Sequence, residues 1–225
     1  MEYINIAVDG HSASGKSTIC DILAKKLNIN HLSSGGIYRA IALYLLQNKI
    51  DYNKYVSNDE QNLKKVEKEL KNCKIDIKFD NFIQKIFLND KDVTDELNTD
   101  EISNVSSIIS QNLYVREFVK NIQINLASTQ NIIIDGRDIT SEVLKDTKYK
   151  FFVTASIEKR AERRYLQYNK KVPLDKIKEY LTMRDYRDEH RDICPLKIVK
   201  DAIIIDSTNL TIDETVDKML SYIKI

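Results

Sequence analysis

Ile4-Asn5-Ile6-Ala7-Val8-Asp9-Gly10-His11-Ser12-Ala13-Ser14-Gly15-Lys16-Ser17-Thr18 joins an apolar run, a polar turn and the start of a helical pattern. Ile4 to Val8 is rich in β-branched residues and nearly continuous rather than alternating, as in a strand buried on both faces. Residues 16–27 carry a helical pattern. Between them, Gly10 to Ser17 fits G-x-x-x-x-G-K-[ST] without a mismatch, and strand, loop and helix are the context in which that pattern cradles phosphate. Gly10, His11, Ser12, Ala13, Ser14, Gly15, Lys16, Ser17 and Thr18 are therefore expected to bind a nucleotide, their N–H groups turned toward phosphate oxygens at the positive end of the helix. Lys16 would reach the β- and γ-phosphates, and the Ser17 hydroxyl would bind Mg²⁺.

Working outward, Ile132-Ile133-Ile134, Phe151-Phe152-Val153 and Ala202-Ile203-Ile204-Ile205 repeat the signature of buried parallel strands. Helical patterns occupy residues 16–27, 36–48, 58–72, a long stretch near 99–129, then 157–170, 174–191 and 211–224. Strands alternating with helices predict an α/β fold, a doubly wound parallel sheet flanked by helices, with right-handed crossovers. Residues 73–95 break the rhythm: Lys74 to Phe79 and Gln84 to Leu88 alternate polar with apolar around Asp80-Asn81, which predicts a small antiparallel insertion.

The composition narrows the classes. With 225 residues, 42% hydrophobic and 31% charged, the chain can bury a core without staples. Cys20, Cys73 and Cys194 are too scattered for a disulfide framework or a zinc site, and His11, His31 and His190 lack ligand spacing. The net charge of +1 gives no global field for nucleic acid or an acidic membrane, and no run approaches a membrane span. A cytoplasmic monomer binding neither nucleic acid nor membrane is expected. Five glycines are about a third of average usage, so their positions carry information. Two lie in the phosphate loop; Gly35-Gly36 opens a helix, and Gly136 follows a strand.

Ile132-Ile133-Ile134-Asp135-Gly136-Arg137-Asp138 puts an acid just past a strand, where an open α/β sheet has its ligand crevice. Asp135 is placed to hold a metal or its waters, and Arg137 and Asp138 offer a donor fork and an acceptor pair. Ser34-Gly35-Gly36-Ile37-Tyr38-Arg39 opens another helix, and Arg116 lies in the long one after Ser106-Ser107. Residues 158–200 hold 13 Lys+Arg against 8 Asp+Glu, offset by 22 against 26 elsewhere. Arg160, Arg163 and Arg164, then Arg184, Arg187, Asp188 and Arg191, share helix faces. Those faces could be solvated and knitted by pairs such as Arg184 with Asp188. Beside a nucleotide site they read as a lid over polyphosphate, covering residues 157–192.

Together these motifs resemble those of the bacterial cytidylate kinases, nucleoside-monophosphate kinases of the P-loop class. The resemblance runs over essentially the whole chain. It rests on the Gly10–Ser17 loop, Ser34 to Arg39, Val115-Arg116-Glu117, Asp135 to Asp138, Arg184 to Asp188 with Arg191, Pro195-Leu196 and Asp206-Ser207-Thr208. It implies a single P-loop kinase unit over residues 1–225, with a monophosphate-binding region at 35–105 that includes the β insertion near 73–95. It also implies transfer of the ATP γ-phosphoryl group to CMP or dCMP with Mg²⁺. By the same resemblance Ser107, Arg116 and Asp138 would read cytosine, and Ser34, Arg39 and Arg137 would serve the acceptor. Arg184, Asp188 and Arg191 would contact ribose or phosphate, Arg160 and Arg164 would face the donor, Lys16, Arg137, Arg187 and Arg191 would act on the transferred group, and Ser17 with Asp135 would hold the metal.

The chain departs from the family pattern at His11, Ala13, Ser33, Thr140 and Ser141, where Pro, Gly, Asp and a Gly-Thr pair are usual. Thr140 in particular could change how closely the backbone passes the acceptor. Two other readings stay open on the residues alone. One is a P-loop kinase for UMP, AMP or a metabolite alcohol. The other is a silent nucleotide-binding module.

Overall fold

The computed structural model describes residues 3–224. In chain order, β1 (Asn5–Gly10) leads through the loop into α1 (Lys16–Leu27), and β2 (Asn30–Ser33) runs directly into α2 (Ser34–Gln47). After α3 (Glu60–Leu70) come β3 (Ile75–Asp80), β4 (Ile83–Leu88) and the short β5 (Lys91–Asp92). Then follow α4 (Asp100–Ile109), α5 (Leu113–Ala127), β6 (Ile132–Gly136), β7 (Tyr149–Thr154), α6 (Ile157–Gln167), α7 (Leu174–His190), β8 (Ile203–Asp206) and α8 (Ile212–Leu220).

The strands form one eight-stranded sheet in the order β3-β4-β2-β6-β1-β7-β8, with β5 on β4. β2, β6, β1, β7 and β8 are mutually parallel. This is the doubly wound α/β architecture that the alternating pattern predicts. Successive residues of β6 serve opposite faces: Ile132 and Ile134 pack with Ile37 and Ile41 of α2 and Val115 and Val119 of α5. Ile133 packs with Ile19 and Leu23 of α1 and Val216 and Met219 of α8. Both faces are covered, so β6 is buried at every position. α6 and α7 close on a small core of their own, Ala161, Ile177 and Leu181.

Three local expectations change and a fourth is extended. β2 was not legible as a strand, because Asn30-His31-Leu32-Ser33 is short and polar, yet it fills the place beside β6. The expected antiparallel insertion is present as the β3–β4 pair, and β4 also runs parallel to β2 through the His31–Ile83 pair, so the insertion extends the central sheet. Its turn is made by Asn81 and Phe82 at φ 48 and 68, without a glycine. The stretch near 99–129 is two helices, since Asn112 accepts from the N–H groups of Tyr114 and Val115 and starts α5 anew. The run 202–205 forms an edge strand rather than a doubly buried one, and Ile204 is 52% exposed.

Candidate active site

A cleft of about 620 Å³ lies over the carboxyl ends of the parallel strands, where the crevice of an open α/β sheet belongs. At one end is the phosphate loop. Gly10 has φ 145, and a Cβ there would come 1.9 Å from the Val153 carbonyl oxygen, so the turn off β1 requires glycine. Lys16 folds back over the loop and donates to the carbonyl oxygens of Gly10 and His11, both at 2.7 Å. Burial and the neighbouring positive Arg137, outweighing Asp135 and Asp9, lower its pKa to about 7. Lys16 Nζ also donates to Ser14 Oγ at 3.5 Å, and an ammonium held only by such neutral groups in a buried site gains most from an arriving polyanion.

At the mouth of α1, Ser17 Oγ donates to Asp135 Oδ2 at 3.2 Å. His31 spans from Asp135 Oδ1 (Nε2, 3.1 Å) to Asp21 Oδ1 (Nδ1, 2.6 Å). Carboxylate oxygens only accept, so both ring nitrogens donate. Burial opposes the charge on His31, but the two carboxylates outweigh it and hold its pKa well above the ordinary value. Burial likewise raises Asp135, and His31 and Lys16 overcome it to bring the carboxyl down to about 2. An anionic carboxylate beside a serine hydroxyl at a helix N-terminus is a hard, all-oxygen donor set of the kind that takes Mg²⁺ with phosphate oxygens.

The opposite end is built from side-chain pairs. Arg116, on α5 and 5% exposed, bonds Asp138 through Nη2 and the Ser110 carbonyl through Nη1. Arg137 Nε donates to Asp188 Oδ2 at 2.8 Å, and Arg191 stands 4.0 Å from the same carboxyl. Burial raises Asp188, but the surrounding Arg137, Arg184 and Arg191 hold it below the usual range. Arg39 Nη1 donates to Asn98, and Arg184 Nη1 reaches across to Ser103 of α4. Ser34 meets Gly136 closely enough that a Cβ on Gly136 would sit 2.6 Å from its hydroxyl oxygen. Ser34, Ser107 and Arg164 complete the wall, which carries six arginines and Lys16 against five aspartates. The near-neutral chain thus concentrates positive charge where an anion would bind.

The structure gathers Ser12 to Thr18, Ser34, Arg39, Ser107, Arg116, Asp135, Arg137, Asp138, Arg164, Arg184, Asp188 and Arg191 around this cleft. Gly10, His11, Arg160 and Arg187 do not line it. Arg160, expected to face the donor, is spent behind the loop: its guanidinium donates to the carbonyl oxygens of Ala155 and Ser12 and to Asp185. Arg187, expected at the transferred group, lies off the cleft wall, its Nε buried with no hydrogen-bond partner. The pairing of Arg184 with Asp188 is replaced by that of Arg137 with Asp188, because β6 delivers Arg137 to that carboxyl. The C-terminal part of α7 is therefore clamped to the end of β6. Arg163 also holds the Ser14 carbonyl and Ser207, which explains the late Asp206-Ser207-Thr208 motif.

Among the departures, His11 and Thr140 acquire hydrogen-bond partners, whereas the Ser141 hydroxyl is buried without one. His11 bonds Thr154 through Nδ1 and Glu189 through Nε2, tying the loop to α7. Ala13 adopts φ 58 and packs on the α6–α7 core. Thr140 turns away from the acceptor: its N–H (2.8 Å) and hydroxyl (2.7 Å) both donate to Asp9, itself fully buried. Burial, set against those hydrogen bonds, pushes Asp9 up to about 6. Asp9, His31, Asp21 and Gln84 escaped the sequence reading. An acid ending an apolar strand was the one available signal, at Asp9. Gln84 Oε1 accepts from the Ser33 N–H at 3.0 Å, a contact visible only once the hairpin is seen to join β2.

Comparison with known proteins agrees with this geometry. A solved structure of an uncharacterized protein from Eubacterium ventriosum superposes with a TM-score of 0.51 at 14% identity, covering 97% of each chain, which bears on the fold alone. A cytidylate kinase of Bacillus cereus is 39% identical over 98% of this chain and 96% of its own length. One from Thermosipho melanesiensis is 38% identical over 97% of this chain and 96% of its own. The cytidylate kinase family model matches residues 6–225, so it takes in both ends of the cleft, and the chain belongs to the cytidylate kinase family.

Proposed function

We propose that this chain transfers the γ-phosphoryl group of ATP to CMP or dCMP, giving ADP and the nucleoside diphosphate. The observation that carries the reading is a phosphate loop facing an arginine-lined wall, with the Arg116–Asp138 pair, across one cleft. The acceptor oxygen of a nucleoside monophosphate is already anionic, so no general base is needed; positioning and charge neutralisation suffice. Loop N–H groups and Lys16 hold the donor phosphates. Arg39, Arg137 and Arg191 bind the acceptor phosphate, and Arg164 and Arg184, carried by the lid helices, close over the polyphosphate and exclude water. Ser17 and Asp135 would hold Mg²⁺, which when bound neutralises charge on the phosphate oxygens.

Base selection rests on Asp138. Arg116 occupies one carboxylate oxygen and leaves acceptor capacity for the exocyclic amine of cytosine, with Ser107 nearby on the same wall. Uracil presents an acceptor at that position and would leave the carboxylate unsatisfied. The test is ADP release with CMP, dCMP, UMP and AMP at equal concentrations. CMP and dCMP should turn over fastest; equal rates with UMP or AMP would overturn the base assignment. ATP binding with no turnover of any acceptor would overturn the enzyme reading.

A further inference from the structure

The cation corner contains a side chain that neither the loop motif nor the acceptor motif includes. His31 is 2% exposed, yet both its ring nitrogens are bonded, to Asp135 at 3.1 Å and to Asp21 at 2.6 Å. Its backbone cannot shift easily, because β2 is pinned between Ile133 of β6 and Ile83 of β4, and its N–H donates to the Phe82 carbonyl at 2.7 Å. Asp135 therefore has one oxygen engaged by the ring and the other turned to Ser17 Oγ. A carboxylate free to rotate could present either oxygen, or both, to a cation. Here only Oδ2 faces the serine.

We propose that His31, anchored by Asp21, is a positioning residue that fixes the Asp135 carboxylate so that a single oxygen, Oδ2, is offered beside Ser17, and that this brace sets the affinity of the site for a divalent cation. The inference rests on the assignment of Ser17 and Asp135 as the cation site. Hydrogen-bond partners of ligating groups orient them, and their loss costs roughly 10- to 100-fold in metal affinity. A buried histidine satisfied by two carboxylates could instead serve packing alone, and the two roles separate experimentally. Leucine at position 31 keeps the bulk and removes both bonds. Glutamine keeps a donor toward Asp135 and gives up Asp21.

The test is Mn²⁺ binding in the presence of ADP, followed by electron paramagnetic resonance, on His31→Leu, His31→Gln, Asp21→Ala and Asp135→Ala. The expected result is a weakening of about tenfold in His31→Leu, a smaller loss in Asp21→Ala and substantial recovery in His31→Gln. In turnover, kcat of His31→Leu should fall at limiting Mg²⁺ and return as Mg²⁺ is raised, with KM for CMP unchanged. Mn²⁺ affinity within twofold of the parent in His31→Leu overturns the brace. Where that variant fails to fold, Asp21→Ala, altered at the solvent-facing end, decides by the same criterion. If Asp135→Ala also binds Mn²⁺ like the parent, the cation assignment itself is wrong; if it alone loses the cation, only the brace is.

Discussion

The two ends of the cleft, one assigned here to the donor and the other to the acceptor, are built in different ways. The donor end is made largely of backbone: the Gly10–Ser17 stretch that joins β1 to α1, with Lys16 bonded to the carbonyls of its own loop. The acceptor end is made of side chains from α2, α5, the turn after β6 and α7, drawn together as the ion pairs Arg116–Asp138 and Arg137–Asp188. A backbone site needs little beyond its own turn to exist. A side-chain site must be held in place by the whole fold, and here Arg116 and Arg137 are already paired with aspartates before substrate arrives. Mutations at the two ends should therefore fail differently, the donor end in chemistry and the acceptor end in stability as well.

The largest effect is expected at the acceptor end. Arg116→Ala strands the Asp138 carboxylate in a buried site and should lower unfolding free energy by about 3–5 kcal/mol in urea titration. A loss below about 1 kcal/mol would show that the pair is not part of the fold. Lys16→Ala should do the reverse. Removing a preorganised cation from the transferred charge should cost roughly 10²- to 10³-fold in kcat. Stability should change by less than about 1 kcal/mol, since burial already disfavours the ammonium. A Lys16 variant that unfolds would erase the contrast.

Asp9 offers a third test, beneath the donor end. Its pKa is raised from 3.8 to about 6 in the folded chain, so folding takes up a proton between those values. The associated stability is present below pH 4 and lost as pH rises through about 6, an effect on the order of 3 kcal/mol. Asp135 works the other way: its carboxyl, brought down to about 2, stabilises fully above pH 4 and loses that contribution as pH falls toward 2. Between pH 4 and 6 the difference in stability between the parent and Asp9→Asn should therefore follow Asp9 alone. A pH-independent difference would mean that the Thr140 and Ile139 hydrogen bonds keep Asp9 ionised throughout.

The same contrast explains what was legible. The donor end could be read at once, because its geometry follows from local order: apolar strand, glycine turn, helix start. β1, β6 and β7 were visible for a related reason, since burial on both faces forces continuous apolar runs. β2 was not, because three of its four residues, Asn30, His31 and Ser33, are polar and their partners lie elsewhere in the chain. Arg160 and Arg187, on the two arginine-rich helices, show the limit of that reading. Helical spacing put each on the face of its own helix but not which neighbour would claim it, and Asp185 with the Ser12 carbonyl, a contact across 148 positions, claimed Arg160. Thr140 was a warning about the acceptor that the fold redirected to Asp9.

Asp138 bears most directly on the assignment of the acceptor base, and its effect should be the smallest in energy and the most specific. Asp138→Asn keeps an oxygen for Arg116 and replaces the other acceptor with an amide donor, which suits the uracil carbonyl better than the cytosine amine. The decisive measurement is the ratio of kcat/KM for CMP to that for UMP, in the parent and in Asp138→Asn. The ratio should fall by about tenfold or more, roughly 1.4 kcal/mol, while KM for ATP changes less than about twofold. An unchanged ratio, or an equal loss for both acceptors, would contradict the reading of this wall as the site that selects cytosine.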